Sequence, residues 1–448
     1  MPHDPVGALN LSARAEYSMF HAPVYDACRR SFMPINSVAA LEEVVHDALR
    51  RQPITDIHTH LYSPNMGNLL LWGIDELLTY HYLVAEVMRW SDASPDDFYR
   101  WPKQQQADHI WQTLFVDHSP ISEAQRGVLT TLQAFGLDLA SRDLNAYRAA
   151  FAHANAEQHV DRVLALANIS HVVMTNDPFD PVERAFWQAG HKPDPRFHPV
   201  LRIDPLVRGY NQAAPQLRDQ GYDVDDAATE RSFEGVRRFL RDWIEWMNPL
   251  YMAASLPPTF RFPETSANAA ILRECVLPVC REAGIPFAMM IGSERLINPA
   301  LGLAGDGLGR ADLSSVAYLA REYPDNKFLV TVLSRENQHE LIVLARKFSN
   351  LMIFGCWWFV NNPVIIEDIT RMRVEMLGLS FIPQHSDARI LDQVIYKWAH
   401  SRAIVGKVLV DKYAALMQTG WRLERAEIER DVADLLSNNF WRFLGKSV

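Results

Sequence analysis

The stretch Thr55-Asp56-Ile57-His58-Thr59-His60 carries the clearest chemical pattern in this chain. Ile54 to Ile57 reads as the end of a short buried strand that follows the break at Pro53. Residues i and i+2 of a strand face the same way, so His58 and His60 aim two imidazoles at one point. Neutral imidazole is a good ligand for zinc and similar divalent ions, and two from one strand supply half of a tetrahedral shell. An isolated His-x-His also occurs by chance as a hydrogen-bonded pair at a strand end, so the rest of the chain has to decide between the two readings.

The chain has 448 residues, of which 48% are hydrophobic and 22% charged, the balance of an ordinary globular protein with a large core. A formal net charge of -10 argues against a general nucleic-acid binder and against attraction to an anionic membrane. An anionic small substrate would need arginines gathered locally. Cys28, Cys275, Cys280 and Cys356 form no CxxC pair and no Cys/His zinc spacing, and Cys275 and Cys280 lie in an apolar run that suits core thiols. That usage fits a reduced compartment. The first residues lack the pattern of a signal peptide and no apolar run approaches a membrane span, so a cytoplasmic location is expected.

The elements that would position the histidines follow from periodicity. Residues 1–35 read as a tail. Ser37 to Arg51 reads as a helix with Ser37 as N-cap and Leu41, Val44, Val45 and Leu49 on one face. The start of a barrel then occupies 36–61. Residues 62–160 read as a helical insertion, with helices over Leu69 to Trp90, Pro102 to Val116, Ser122 to Phe135 and Asp143 to Phe151. His81 and Tyr82 lie on the first of these, about 100° apart if helical, and read equally as core aromatics. From residue 161 to 400, apolar runs of strand length alternate with helical patterns. With the first strand the runs number eight: His171 to Thr175, Pro199 to Ile203, Leu250 to Ala254, Pro286 to Ile291, Phe328 to Leu333, Leu351 to Gly355 and Leu379 to Ile382 complete the set. Continuously apolar strands, each followed by a helix, indicate a covered parallel sheet. Eight such units predict an α/β fold, a distorted (β/α)8 TIM barrel, closed by helices over 401–448.

In such a barrel the chemistry gathers at the C-terminal ends of the strands. The third strand carries Arg202 and Asp204, the seventh leads into Trp357 and Trp358, and the eighth into Asp387 and Arg389. His-x-His on the first strand with Asp on the eighth resembles the amidohydrolase superfamily, in which these three residues hold a divalent metal. The fourth, fifth and sixth strands offer no further Lys, Glu or His ligand. A two-metal centre is therefore not expected, and one ion on His58, His60 and Asp387 is. The stretches DIHTHLYSPN, DELLTYHYLVAEVMRW, VVMTNDPFD, LRIDPL, IPFAMMIG, LSRENQHELIVLARKFSNLMIFGCWWF and SFIPQHSDARIL resemble the uronate (glucuronate) isomerase family of that superfamily, in a divergent bacterial subgroup. The chain departs from the better-known subgroup at Met290 and around Lys397.

The resemblance implies an aldose–ketose isomerase that interconverts D-glucuronate with D-fructuronate and D-galacturonate with D-tagaturonate. A proton moves between C2 and C1 through a cis-enediol. His81 and Tyr82 resemble the proton-transfer dyad, in which a nearby His or metal charge would depress the Tyr pKa or the His would relay the proton. Asp387 would ligate one divalent metal ion, zinc being the expected one, and exchange a hydroxyl proton, while Arg389 would stabilise an oxyanion or simply hold Asp387. Arg202 would bind the C6 carboxylate as a fork, or instead pair with Asp204. Trp357 and Trp358 would wall the sugar or pack the barrel top. His339, Lys397 and His400 read as structural or solvated. A small-molecule uronate partner, no nucleic acid, no membrane and a homo-oligomer complete the expectation. The alternatives are a mononuclear metal-dependent hydrolase acting on a sugar lactone or amide, and a non-catalytic sugar-acid binder.

Overall fold

The computed structural model describes residues 35–152 and 155–446; the tail, and Cys28 within it, lies outside them. Seven parallel strands form one sheet in chain order: Ile54–Thr59, Ile169–Asn176, Phe197–Arg202, Met252–Leu256, Phe287–Ile291, Phe328–Val332 and Leu351–Ile353. The eighth expected strand is not regular. Leu379 to Ile382 makes only a bridge from Ile382 to Phe354, although the segment still closes the ring. On one side Gly355 N–H donates to Ile382 O and Ile382 N–H to Ile353 O; on the other Asp387 N–H donates to His58 O and His60 N–H to Ala388 O. The barrel is thus sealed by an irregular segment that carries functional candidates rather than by a ladder. The fourth strand also starts two residues later than its apolar run suggested, and ends at Leu256, because Leu250 and Tyr251 are spent on the entry turn.

Alternation sorts the strand residues into two cores. Ile57, Val173, Val200, Ala253, Ala288, Met290 and Leu329 face the barrel interior together with Phe354 and Ile382. Val172, Met174, Leu201, Met252 and Met289 face the surrounding helices. Period-2 geometry makes this division unavoidable once both faces are covered. The bottom of the barrel is plugged by Asn439–Leu444, whose Phe440, Trp441 and Leu444 join the interior core. Trp441 Nε1 donates to Thr55 Oγ1 at 3.0 Å and ties the plug to the first strand.

The helices follow their caps. Val38–Arg51 begins at Ser37, whose side chain accepts from Ala40 N–H, and Glu123–Ala134 begins in a capping box of Ser122 and Gln125. The single helix expected over Leu69 to Trp90 is instead two short helices, Ile74–Leu78 and His81–Val87, after a separate turn of helix over Pro64–Leu69. Gly73, at φ 101°, and Tyr80, in extended backbone, interrupt it. That break turns His81 into the first residue of a new helix and points Tyr80 toward the barrel mouth. The long helix Gln393–Gln418 runs through residue 400 and packs on Val38–Arg51 and on the insertion. No described helix is long and apolar enough to cross a membrane.

Candidate active site

A cavity of about 800 Å³ opens at the C-terminal end of the sheet. It is lined by His60, Tyr80, His81, Arg202 and Arg389, and a small recess adjoining it adds Asp387, Trp357, Trp358 and Arg295. At the edge of this recess, in the barrel wall, His58, His60 and Asp387 each offer a ligand atom, all within 4.8 Å of one another. His60 Nε2 lies 3.3 Å and His58 Nε2 3.6 Å from Asp387 Oδ1. His58 Nε2 and Asp387 Oδ1 are buried without a hydrogen-bond partner. Donor atoms around a tetrahedral ion at about 2.1 Å lie about 3.4 Å apart, so these residues fit a divalent cation better than they fit one another.

The electrostatics agree. Burial, reinforced by the Arg389 charge, lowers the His60 pKa well below its usual value and keeps the ring in its ligand form. Burial opposes ionisation of Asp387, but the two histidines beside it hold its carboxyl well below the ordinary range. Asp387 has a positive φ of 50°, a conformation an Asp tolerates better than most residues, and the mutual backbone bonds with His58 and His60 hold it there. Asp56 braces the same segment: its carboxylate accepts from Ser386 N–H at 2.9 Å and from Trp398 Nε1 at 2.8 Å.

His81 and Tyr82 stand edge to face, ring centroids 4.6 Å apart. Burial and the Arg389 charge pull the His81 pKa down to about 3, so it is a neutral proton acceptor. His81 faces the cavity with Tyr80; Tyr82 lies behind them, its hydroxyl buried without a partner. The protein's own groups do not depress the Tyr82 pKa. Burial, with the Tyr80 and Asp387 charges, pushes it well above its usual value.

Arg202 is paired as its alternative reading foresaw. Nε donates to Asp204 Oδ2 at 2.8 Å and Nη2 to Asp204 Oδ1 at 3.0 Å, yet the guanidinium still lines both the cavity and the recess. The fork consumes one edge and leaves the other toward the space. Arg389 makes no ion pair with a described carboxylate. Trp357 and Trp358 both line the recess, Trp358 stacking on Phe359 at 4.6 Å. His400 is structural, bonded to Glu123 at 2.5 Å. Lys397, in contrast, is buried beside Tyr82.

Sequence reasoning missed Tyr80, Arg295 and His385. Tyr80 was hidden by the assumption of a continuous helix. Arg295 reaches the recess from the loop after the fifth strand, clamped by Asp306. His385 packs 5.1 Å from the His58 ring with both nitrogens unpartnered, and only a glycine at 355 lets it in, since a Cβ there would sit 1.8 Å from the imidazole. The His-Ser-Asp spacing was visible, but nothing in it says that His385 turns inward.

No family model matches the chain, and no curated protein matches it either. Solved structures do. A uronate isomerase from Bacillus halodurans C-125 is 62% identical, with a TM-score of 0.91 over 92% of this chain and 98% of that one. A glucuronate isomerase from Caulobacter crescentus shares the fold at 16% identity and a TM-score of 0.74, over 93% of this chain and 96% of that one. A uronate isomerase from Thermotoga maritima does so at 14% and 0.72, over 92% and 98%.

Proposed function

We propose that this chain, which belongs to the uronate isomerase family, interconverts D-glucuronate with D-fructuronate and D-galacturonate with D-tagaturonate. The carrying observation is the convergence of His58, His60, Asp387, His81 and Arg389 on one cavity mouth. Their chemistry suits a proton shift between adjacent carbons of an open-chain sugar acid. The free edge of the Arg202 guanidinium, fixed by Asp204, takes the C6 carboxylate. Trp357 and Trp358 lie flat against the sugar and keep water from the enediol.

Neutral His81 accepts the C2 proton or relays it, with Tyr82 packed edge to face behind it as an un-ionised phenol. Arg389 balances the charge that develops on O1 and O2. Asp387 exchanges a hydroxyl proton. His58, His60 and Asp387 would hold a divalent ion, zinc on the chemistry of these donors, and such an ion would supply Lewis acidity when bound. The hydrolase alternative is not favoured: the fifth and sixth barrel strands, Phe287–Ile291 and Phe328–Val332, carry no histidine.

The test is an NMR assay in D2O with each uronate, with and without chelator. Appearance of the ketose, with solvent deuterium at the carbon that receives the proton or with retention of the transferred hydrogen, is the expected result. No ketose from either uronate at any metal loading overturns the reading.

A further inference from the structure

A second cavity, of about 260 Å³, lies on the far side of Tyr82 and Trp358 from the substrate recess. It has its own cation. Lys397 is only 4% exposed, lines this space, and makes no hydrogen bond or ion pair with a described residue; its Nζ hangs 5.5 Å over the Tyr82 ring. An ammonium taken out of water is costly unless something pairs with it. Two more groups on the same walls are unsatisfied. The Tyr82 hydroxyl has no partner, and neither has Asn361 Nδ2, whose Oδ1 is taken by Gln384. A buried, unpaired cation facing a void is a seat for an anionic head group.

The other walls narrow the choice. Ala85, Ala124, Phe359 and Ile366 are apolar and suit a short hydrocarbon body. Glu86 and Glu123 also line the space, but they are engaged, Glu86 with Ser122 and Glu123 with His400 and Arg126. Their charges disfavour a ligand with more than one negative charge. We propose that this cavity is a binding site for a small monocarboxylic acid, its carboxylate on Lys397 and its apolar body against Phe359 and Ile366. Burial pulls the Lys397 pKa below its usual value, and a carboxylate beside it would favour the ammonium form. Because Tyr82 and Trp358 also flank His81, an occupied site presses on the back of the active cavity. The inference does not depend on the isomerase reading.

The experiment is calorimetric titration of the full chain with hexanoate, 1-hexanol and inorganic phosphate. Hexanoate is expected to bind, and the alcohol and phosphate to bind at least about tenfold more weakly. Lys397→Met should weaken hexanoate by about tenfold or more. Ala124→Met, which fills the cavity without touching the cation, should do the same and serves where the lysine variant fails to fold. Arg389→Met should leave hexanoate binding intact. Absence of hexanoate binding to the native protein, or binding lost in Arg389→Met and kept in Lys397→Met and Ala124→Met, overturns the proposal.

Discussion

Asp387 is the residue on which two demands meet, since it shares a point with His58 and His60 and lines the recess. Asp387→Asn keeps the volume and removes the charge. Turnover of glucuronate is expected to fall by more than about a hundredfold, with the circular dichroism spectrum unchanged; near-normal turnover would remove Asp387 from the site. Glu183 offers a pH test of the cavity wall. It accepts from the Tyr62 hydroxyl, Asn176 Nδ2 and Asp177 N–H, yet burial raises its pKa to about 7. A carboxyl whose folded pKa is raised holds its proton more tightly when folded. It therefore costs nothing below its unfolded value near 4.5 and penalises the fold progressively up to about 7. The penalty is on the order of 3 kcal/mol. Glu183→Gln should gain stability relative to the native chain as pH rises through that window, measured as urea midpoints at pH 4.5 and 8. A constant difference at both pH values would contradict it.

At the level of elements, the first strand and the irregular eighth segment behave as one unit. Asp56 accepts from Ser386 N–H and Trp398 Nε1, so Asp56→Ala strands two buried donors and should cost about 2–5 kcal/mol while lowering turnover. Asp56→Asn, which keeps one acceptor, should lose less; equal losses, or none, in urea unfolding would refute the coupling. This unit also shows what was legible beforehand. His58 and His60 could be read because a strand's two-residue period gives their direction, and the strand-helix alternation gave the barrel because apolar runs of strand length have few other uses. Asp387 could be listed after the eighth apolar run, but only the family resemblance paired it with the histidines, since it lies past Ile382 in a segment that is not a regular strand. Tyr80 and His385 were not legible: one depends on a helix break at Gly73, the other on a glycine that makes room across the barrel. The Arg202–Asp204 fork could be foreseen as a possibility but not chosen over substrate binding, because spacing alone allows both.

For the whole molecule, the candidate ion site joins the first strand to the last stretch of barrel wall, so its occupancy and the closure of the ring are linked. The plug of Phe440, Trp441 and Leu444 seals the opposite end, and Trp441 grips Thr55 on the same first strand. An ion that binds only the closed barrel stabilises it by mass action, about 2.7 kcal/mol at a hundredfold excess over Kd. Metal-loaded protein should therefore melt at a higher temperature than chelated protein. His58→Ala and Asp387→Asn should each lower the melting point of the chelated form by their own cost but abolish the further rise on adding zinc. The comparison isolates the ion, because it is a difference within each variant rather than between variants. If zinc raised the melting temperature of Asp387→Asn as much as that of the native chain, the ion would be bound elsewhere and the barrel would close without it.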